Sequence, residues 1–251
     1  MVRLKNRDRN EYFEVWNYRV FFQPVGNGFD GTFALQSDSP VHIPQGPLVN
    51  TLDLLVPNAM RLAEYVHRQR NHRRKAPPGE DRPAYFLHLA EVAWLLLDSG
   101  SRDDELIAAA FLHDIIEDCG YDEGRLAQAI GNRRVAALVA AVSEPDKRQS
   151  WEDRQQHYRE RLSALNDPAL LALSCADKTS NLTDMNRLMA RGHAVDSFTR
   201  RGFDAQRAKF EALDRLFVDR VPERLHQRFQ RALAEFRERG RLSTEAPSRR
   251  S

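Results

Sequence analysis

The chain has 251 residues, 41% of them hydrophobic and 29% charged, with a mean hydropathy of −0.62. That length can bury a sizeable core, and the composition excludes a disordered polymer. No apolar run reaches the roughly 18 residues a bilayer-spanning helix needs, and the opening MVRLKNRDRNEYFEVW has no apolar signal-peptide core. The expectation is a cytoplasmic protein with no membrane partner. Two cysteines, Cys119 and Cys175, cannot make a disulfide framework or an all-thiolate zinc site. A net charge of +2 and a pI of about 8.6 are too mild to argue for a nucleic-acid partner.

Residues 1–50 differ from the rest. Tyr12, Phe13, Val15, Trp16, Tyr18, Val20, Phe21 and Phe22 favour strand, Gly26-Asn27-Gly28 favours a turn, and Thr32 to Leu35 favours a second strand. This predicts a short β-hairpin or an extended arm. Three prolines between Ser37 and Pro47 mark a linker. From Thr51 the pattern is helical. Ala59, Leu62, Ala63 and Val66 keep i, i+3, i+4, i+7 spacing, and a proline- and glycine-bearing loop interrupts at 76–83. Further helices are predicted over 85–97, from 103 through 111 and onward, and over 122–130, 132–142, 150–165, 168–190, 203–218 and 221–239. The fold class is all-α with an N-terminal hairpin or arm at 1–50. A main helical domain spans 51–200, C-terminal helices packed on it span 201–242, and a disordered tail covers 243–251.

The charges are segregated. Asp98 to Glu123 holds nine acidic residues against one arginine, and Arg61 to Lys75 holds six basic residues against one glutamate. The pair suits a metal on one side and an anion on the other, or equally two solvated helix faces. The chemistry centres on His113-Asp114-Ile115-Ile116-Glu117-Asp118. His113 and Asp114 offer a nitrogen and an oxygen ligand. On a continuing helix, Glu117 and Asp118 stack one turn beyond them. Carboxylates that follow the apolar run Ala108–Leu112 are costly to bury alone, and a cation would offset that cost. His-Asp by itself is weak evidence. His88 follows Tyr85-Phe86-Leu87 and Asp177 ends the apolar run from Leu170, with Lys178 as its structural partner candidate. A lone buried histidine is more often structural, yet His88, His113, Asp114 and Asp177 together make a two-His, two-Asp set.

These stretches resemble the HD-superfamily metal-dependent phosphohydrolases, and among them the RelA/SpoT-type alarmone hydrolases that include a metazoan SpoT homologue. The matching segments are His72-Arg73-Arg74-Lys75, Pro83 to His88, His113 to Asp118, and Ala176-Asp177-Lys178-Thr179-Ser180-Asn181-Leu182, in the family's order. The resemblance implies an HD-domain helical bundle over 51–200 and one divalent ion, usually manganese, on His88, His113, Asp114 and Asp177. It implies that Glu117 and Asp118 act on the attacking water, and that Arg73, Arg74, Lys75 and Asn181 hold a guanosine (p)ppGpp-type nucleotide. The chain departs from the family pattern in three places: Leu89 where proline usually follows the first histidine, Ser180 where an aromatic commonly precedes the asparagine, and about two extra residues after His67. Only about 60 residues follow the matched region, short of a typical synthetase domain, so the resemblance implies a stand-alone hydrolase.

The residues agree with that chemistry. A mixed nitrogen and oxygen set suits manganese, iron, cobalt or zinc. Arginine forks and a lysine charge suit phosphate oxygens, although a solvated basic loop reads the same by composition. His42, His67, His72, His157, His193 and His226 lack carboxylates at ligand spacing and are expected in surface or structural roles. Cys119 and Cys175 are expected as buried small hydrophobes. The rival functions are an HD phosphohydrolase for another nucleotide, such as an adenosine alarmone or a deoxynucleotide, and a non-catalytic nucleotide-sensing module.

Overall fold

A computed structural model describes residues 2–6, 11–16, 19–20, 54–144 and 149–245, with side-chain environments over 54–144 and 149–242. The chain divides into two compact units, Met1–Ile43 and Pro44–Ser251. In the first, strands β1 (Val2–Asn6), β2 (Glu11–Trp16) and β3 (Arg19–Val20) form an antiparallel sheet in the order β1-β2-β3. Leu4 pairs with Phe13, and Val15 with both Val2 and Val20. The predicted turn at Gly26–Gly28 and the strand after it lie outside the described residues.

The second unit is an all-helical bundle: α1 (Leu55–Gln69), α2 (Phe86–Asp98), α3 (Asp104–Leu112), α4 (Ile115–Cys119), α5 (Glu123–Ile130), α6 (Arg133–Val142), α7 (Trp151–Leu165), α8 (Pro168–Ala190), α9 (Phe203–Phe217) and α10 (Glu223–Glu245). The helix starts have local causes. Asp103, Asp122, Asn132, Ser150 and Asp167 each cap the following helix by accepting backbone N–H groups with a side-chain oxygen. Pro168 then stands in the first turn of α8, where a missing N–H costs nothing.

Two helices are buried all round over much of their length and lie at the centre. In α3, every residue from Leu106 to Leu112 is buried, and it packs on α1, α2 and α6. In α8, every residue from Leu170 to Ser180 is buried, and it packs on α2 and α10. Each fully buried leucine there contributes about 1.5–3 kcal/mol. These two helices carry the candidate ligands into the interior. Phe203, Phe210 and Phe217 of α9 meet Phe229 and Phe236 of α10 in an aromatic layer. None of the helices described is long and apolar enough to cross a membrane.

Two predicted boundaries change. The helix expected to continue past His113 is interrupted: α3 ends at Leu112 and α4 starts at Ile115. The Asp118 N–H still donates to the Asp114 carbonyl at 2.9 Å, so the helical register resumes at once. The last helix, expected to stop at 239, runs to Glu245 and into the predicted tail. Pairs Glu235–Arg239 and Glu238–Arg241 support it on the exposed side. Gly240 is tolerated there because a Cβ at that position would collide with the Phe203 ring.

Candidate metal centre and its surroundings

Four donor atoms converge where α2, the α3–α4 junction and α8 meet. His88 Nε2 lies 3.2 Å from His113 Nε2 and 3.3 Å from Asp177 Oδ1. His113 Nε2 lies 3.0 Å from Asp114 Oδ2 and 3.6 Å from Asp177 Oδ1, and His88 Nε2 lies 3.7 Å from Asp114 Oδ2. The structure thus brings together all four residues expected to ligate a metal.

The other edge of each imidazole determines what this means. His113 Nδ1 donates to the Ala110 carbonyl at 2.8 Å. Ser180 Oγ donates to Glu91 Oε2 at 2.8 Å and accepts from His88 Nδ1 at 2.9 Å. Both rings therefore turn an Nε2 lone pair inward, toward two carboxylate oxygens. Four lone pairs facing one another in a buried site repel unless a positive charge lies among them. Without a metal, a proton fills that demand. Burial works against a charged His113, but Asp114 and Asp177 outweigh it and raise its pKa well above the ordinary value. Burial likewise opposes ionised Asp114 and Asp177, and the neighbouring cations hold both well below the usual carboxylate range. Ligands at about 2.0–2.2 Å place neighbouring donors about 3 to 3.5 Å apart. The ligand atoms of His88, His113 and Asp114 all lie within 4.8 Å of one another and could hold one divalent cation, with Asp177 Oδ1 set against the two histidines. The arrangement is a buried His/Asp set able to hold a metal ion.

Beside it sits a network of buried charges. Lys178 Nζ donates to Asp177 Oδ2 at 2.7 Å, as the structural reading anticipated, while Oδ1 stays with the histidines. Burial opposes the Lys178 charge, and Asp177 and Glu144 more than restore it. Lys209 of α9 lies 3.9 Å from Glu144, and burial together with Lys178 lowers its pKa to about 8. Glu117 Oε2 accepts the Glu144 backbone N–H at 3.3 Å. Burial, with the carboxylates of Asp114, Glu144 and Asp118, raises its pKa to about 7.

The residues expected to bind a nucleotide separate into two groups. Arg74 lies against the centre. Its Nε donates to Asp184, its Nη2 donates to Asn181 Oδ1 at 2.9 Å, and its guanidinium covers the Tyr85 ring. Asn181 Nδ2 in turn donates to Asp177 Oδ1 at 2.6 Å. Arg73 and Lys75 are exposed, Arg73 donating to Asn71 Oδ1 at 3.4 Å. The charge segments divide the same way. Of the acidic run, Asp114, Glu117 and Asp118 surround the centre, whereas Asp98 pairs with Arg224 and Arg228, and Asp103 with Arg134.

Sequence reasoning missed several neighbours. Tyr85 Oη donates to Asp114 Oδ2 at 2.5 Å. Ser180, noted only as a departure from a family pattern, orients His88. Glu144 and Lys209 carried no signal, because their roles arise from the packing of α6, α7, α8 and α9. His67 and His72, expected in surface or structural roles, have Nδ1 atoms 3.0 Å from each other, with Cys119 beside them. His193 and His226 do have carboxylate partners, Glu80 and Asp214, each at 2.8 Å. The first pair ties the 76–83 loop to the turn after α8, and the second ties α10 to α9.

Comparison with known proteins agrees with this geometry. An HD-domain family profile matches residues 59–203, more than half of the chain. The guanosine-3′,5′-bis(diphosphate) 3′-pyrophosphohydrolase MESH1 of Danio rerio is 34% identical over 128 residues, covering 51% of this chain and 68% of that protein. The guanosine-3′,5′-bis(diphosphate) 3′-pyrophosphohydrolase of Vibrio cholerae is 31% identical over 134 residues, covering 52% of this chain and only 18% of the bacterial protein. The solved structure of a metazoan orthologue of SpoT that hydrolyses ppGpp superposes with a TM-score of 0.58 at 24% identity, over 74% of this chain and 96% of that one. The chain belongs to the HD-domain family and is related to the SpoT and MESH1 (p)ppGpp hydrolases.

Proposed function

We infer that this centre hydrolyses the 3′-pyrophosphate of a guanosine alarmone, releasing GDP or GTP and pyrophosphate, with one divalent ion, most suitably manganese. The observation that carries this reading is the convergence of four lone-pair donors beside a carboxyl group, Glu117, poised near neutrality. The activity named for the Danio rerio relative supports the choice of substrate.

His88, His113, Asp114 and Asp177 would hold the ion. When bound, it supplies Lewis acidity toward a phosphoryl oxygen and makes water more acidic. Every other task falls to the chain. Glu117, with a pKa near the operating pH, accepts a proton from the attacking water. Asp118, on the same short helix, shares that role or returns the proton to the departing ribose 3′ oxygen. The water oxygen ends on the pyrophosphate, and the broken bond is the one between phosphorus and the 3′ oxygen. Lys178 and Lys209 give the negatively charged product a cationic neighbourhood. Arg74 and Asn181 contact the nucleotide, while Arg73 and Lys75 reach its phosphates from the exposed loop.

The test is a manganese-loaded preparation incubated with ppGpp, pppGpp, their adenosine counterparts and deoxynucleoside triphosphates, with products separated by chromatography. The expected result is GDP and pyrophosphate from ppGpp as the fastest reaction. Faster turnover of an adenosine or deoxynucleotide substrate replaces the guanosine assignment. Tight ppGpp binding without product makes the chain a sensing module.

A further inference from the structure

A second set of metal-ligating atoms lies behind Tyr85, and the hydrolytic centre does not use it. His67 stands in the last turn of α1, His72 follows in the next turn and Cys119 ends α4. Their ligand atoms all lie within 4.8 Å of one another. His67 Nδ1 is 3.0 Å from His72 Nδ1, and Cys119 Sγ is 3.8 Å from His67 Nδ1. A tetrahedral zinc-type ion with metal–nitrogen and metal–sulfur bonds of about 2.05 and 2.3 Å sets its N···N and N···S edges at about 3.3 and 3.6 Å. The two edges from His67 Nδ1 fall close on either side of those values.

The surroundings favour a cation at this point. His67 stands in the last turn of the 15-residue α1, whose C-terminal carbonyls carry partial negative charge. His67 and Cys119 are buried, whereas His72 is only partly covered, which leaves a way in for an ion and a water as fourth ligand. Burial lowers the His67 pKa to about 4, so its ring is neutral and able to ligate at neutral pH. Arg70 Nη2 donates to the Cys119 carbonyl at 2.7 Å, and its charge, which works against a second cation, favours the Cys119 thiolate over the thiol.

We propose that His67, His72 and Cys119 bind a second ion, of the zinc class, distinct from the one held by His88, His113, Asp114 and Asp177. Two imidazoles and a thiolate select zinc or cobalt(II) over manganese or magnesium. Burial pushes the Cys119 thiol up to about 12, so at pH 7 binding displaces its proton, and one proton leaves to solvent per ion bound. The ion would tie α1 to α4 across the start of the Arg73–Lys75 loop. The Tyr85 ring, stacked on His67 with centroids 4.8 Å apart, separates the two centres. The proposal does not depend on which reaction the first centre performs.

Cobalt(II) titration of the chelator-stripped full chain tests this. Absorption follows the thiolate-to-cobalt charge-transfer band, and elemental analysis after desalting counts the ions. The wild type is expected to take two cobalt ions per chain and show the band. Cys119→Ser should lose the band and one ion, and His72→Ala, in a partly exposed turn that tolerates truncation, should lose one ion. Cys175→Ser should keep both signals, because Cys175 is buried within α8. Asp177→Asn should lose one ion and keep the band. A wild type that takes up a single ion without the band overturns the proposal, as does a band that survives Cys119→Ser.

Discussion

The Tyr85 hydroxyl donates to Asp114 Oδ2, the same oxygen that faces His88 and His113. Burial and the Asp114 carboxylate raise the tyrosine pKa well above its ordinary value, so the hydroxyl keeps its proton and acts as a donor. It therefore fixes the carboxylate's orientation before any ion arrives. Such outer contacts are commonly worth 10–100-fold in metal affinity. Tyr85→Phe keeps the ring against His67 and deletes only the donor. Manganese affinity, read by calorimetry, should fall by roughly tenfold or more, with melting behaviour little changed. An unaltered affinity would make Tyr85 a spacer.

Ser180 plays the matching part for His88. Its hydroxyl accepts from His88 Nδ1 and donates to Glu91, a relay that passes from α8 to α2. Ser180→Ala leaves the Nδ1–H without its acceptor and removes the donor to Glu91 Oε2, while Arg187 still reaches Oε1 at 3.4 Å. Metal affinity should drop by about tenfold, and the imidazole should sample both tautomers. Nitrogen-resolved NMR of the His88 ring reads the tautomer directly. A ring still protonated only at Nδ1 in the variant would show that the serine is not what orients it.

Much of this arrangement is legible in the sequence, and the reason is periodicity. The helix over 168–190 is predicted to its observed ends because Asp167-Pro168 starts it and an unbroken run fills it. His88, His113, Asp114 and Asp177 stand out because each adjoins an apolar stretch that has to be interior. What stays hidden depends on elements meeting in space. Lys209 approaches Glu144 only because α9 packs on α7 and α8. His67 and His72 are five residues apart, a spacing with no helical meaning, and they meet because the chain turns at Asn71, whose φ is +48°. Arg73, Arg74 and Lys75 read as one basic cluster, yet the bridge between Arg73 and Ala84 makes the segment extended, so Arg74 points away from its neighbours.

That alternation makes the basic segment separable by mutation. Arg74 holds Asn181, and Asn181 holds Asp177 Oδ1, so Arg74→Ala disturbs a metal ligand through one intermediate. It should weaken both metal and nucleotide binding, lowering kcat and raising KM. Lys75 is exposed. Lys75→Ala should raise KM alone, by a few-fold as expected for one screened phosphate contact, and leave metal content unchanged. Steady-state kinetics with metal analysis on the same samples separates the two. Identical behaviour of the variants would mean that the loop acts only through its total charge.

Glu117 connects catalysis with stability. Its folded pKa of about 7 lies above the ordinary 4.5, because burial and the carboxylates of Asp114, Glu144 and Asp118 disfavour the charge. The folded metal-free chain thus holds this proton more tightly than the unfolded chain does. Between about pH 4.5 and 7 the glutamate's contribution to stability falls as pH rises, and above pH 7 the full cost remains. Glu117→Gln keeps the shape and removes the charge. In the chelator-treated protein it should stabilise the fold at pH 8 by about 1–2 kcal/mol, allowing for partial solvent screening, and by almost nothing at pH 4.5. Urea melts at the two pH values measure this. A bound divalent ion supplies the positive charge the site lacks, so the pH 8 gain should shrink once manganese is returned. In that loaded protein the same substitution removes the proton acceptor, and kcat should fall by about 10²-fold or more while metal and nucleotide still bind. A stability gain equal at both pH values would show that Glu117 is not held near neutrality. Loss of the ion in the variant would make Glu117 a ligand and leave the proton transfer to Asp118.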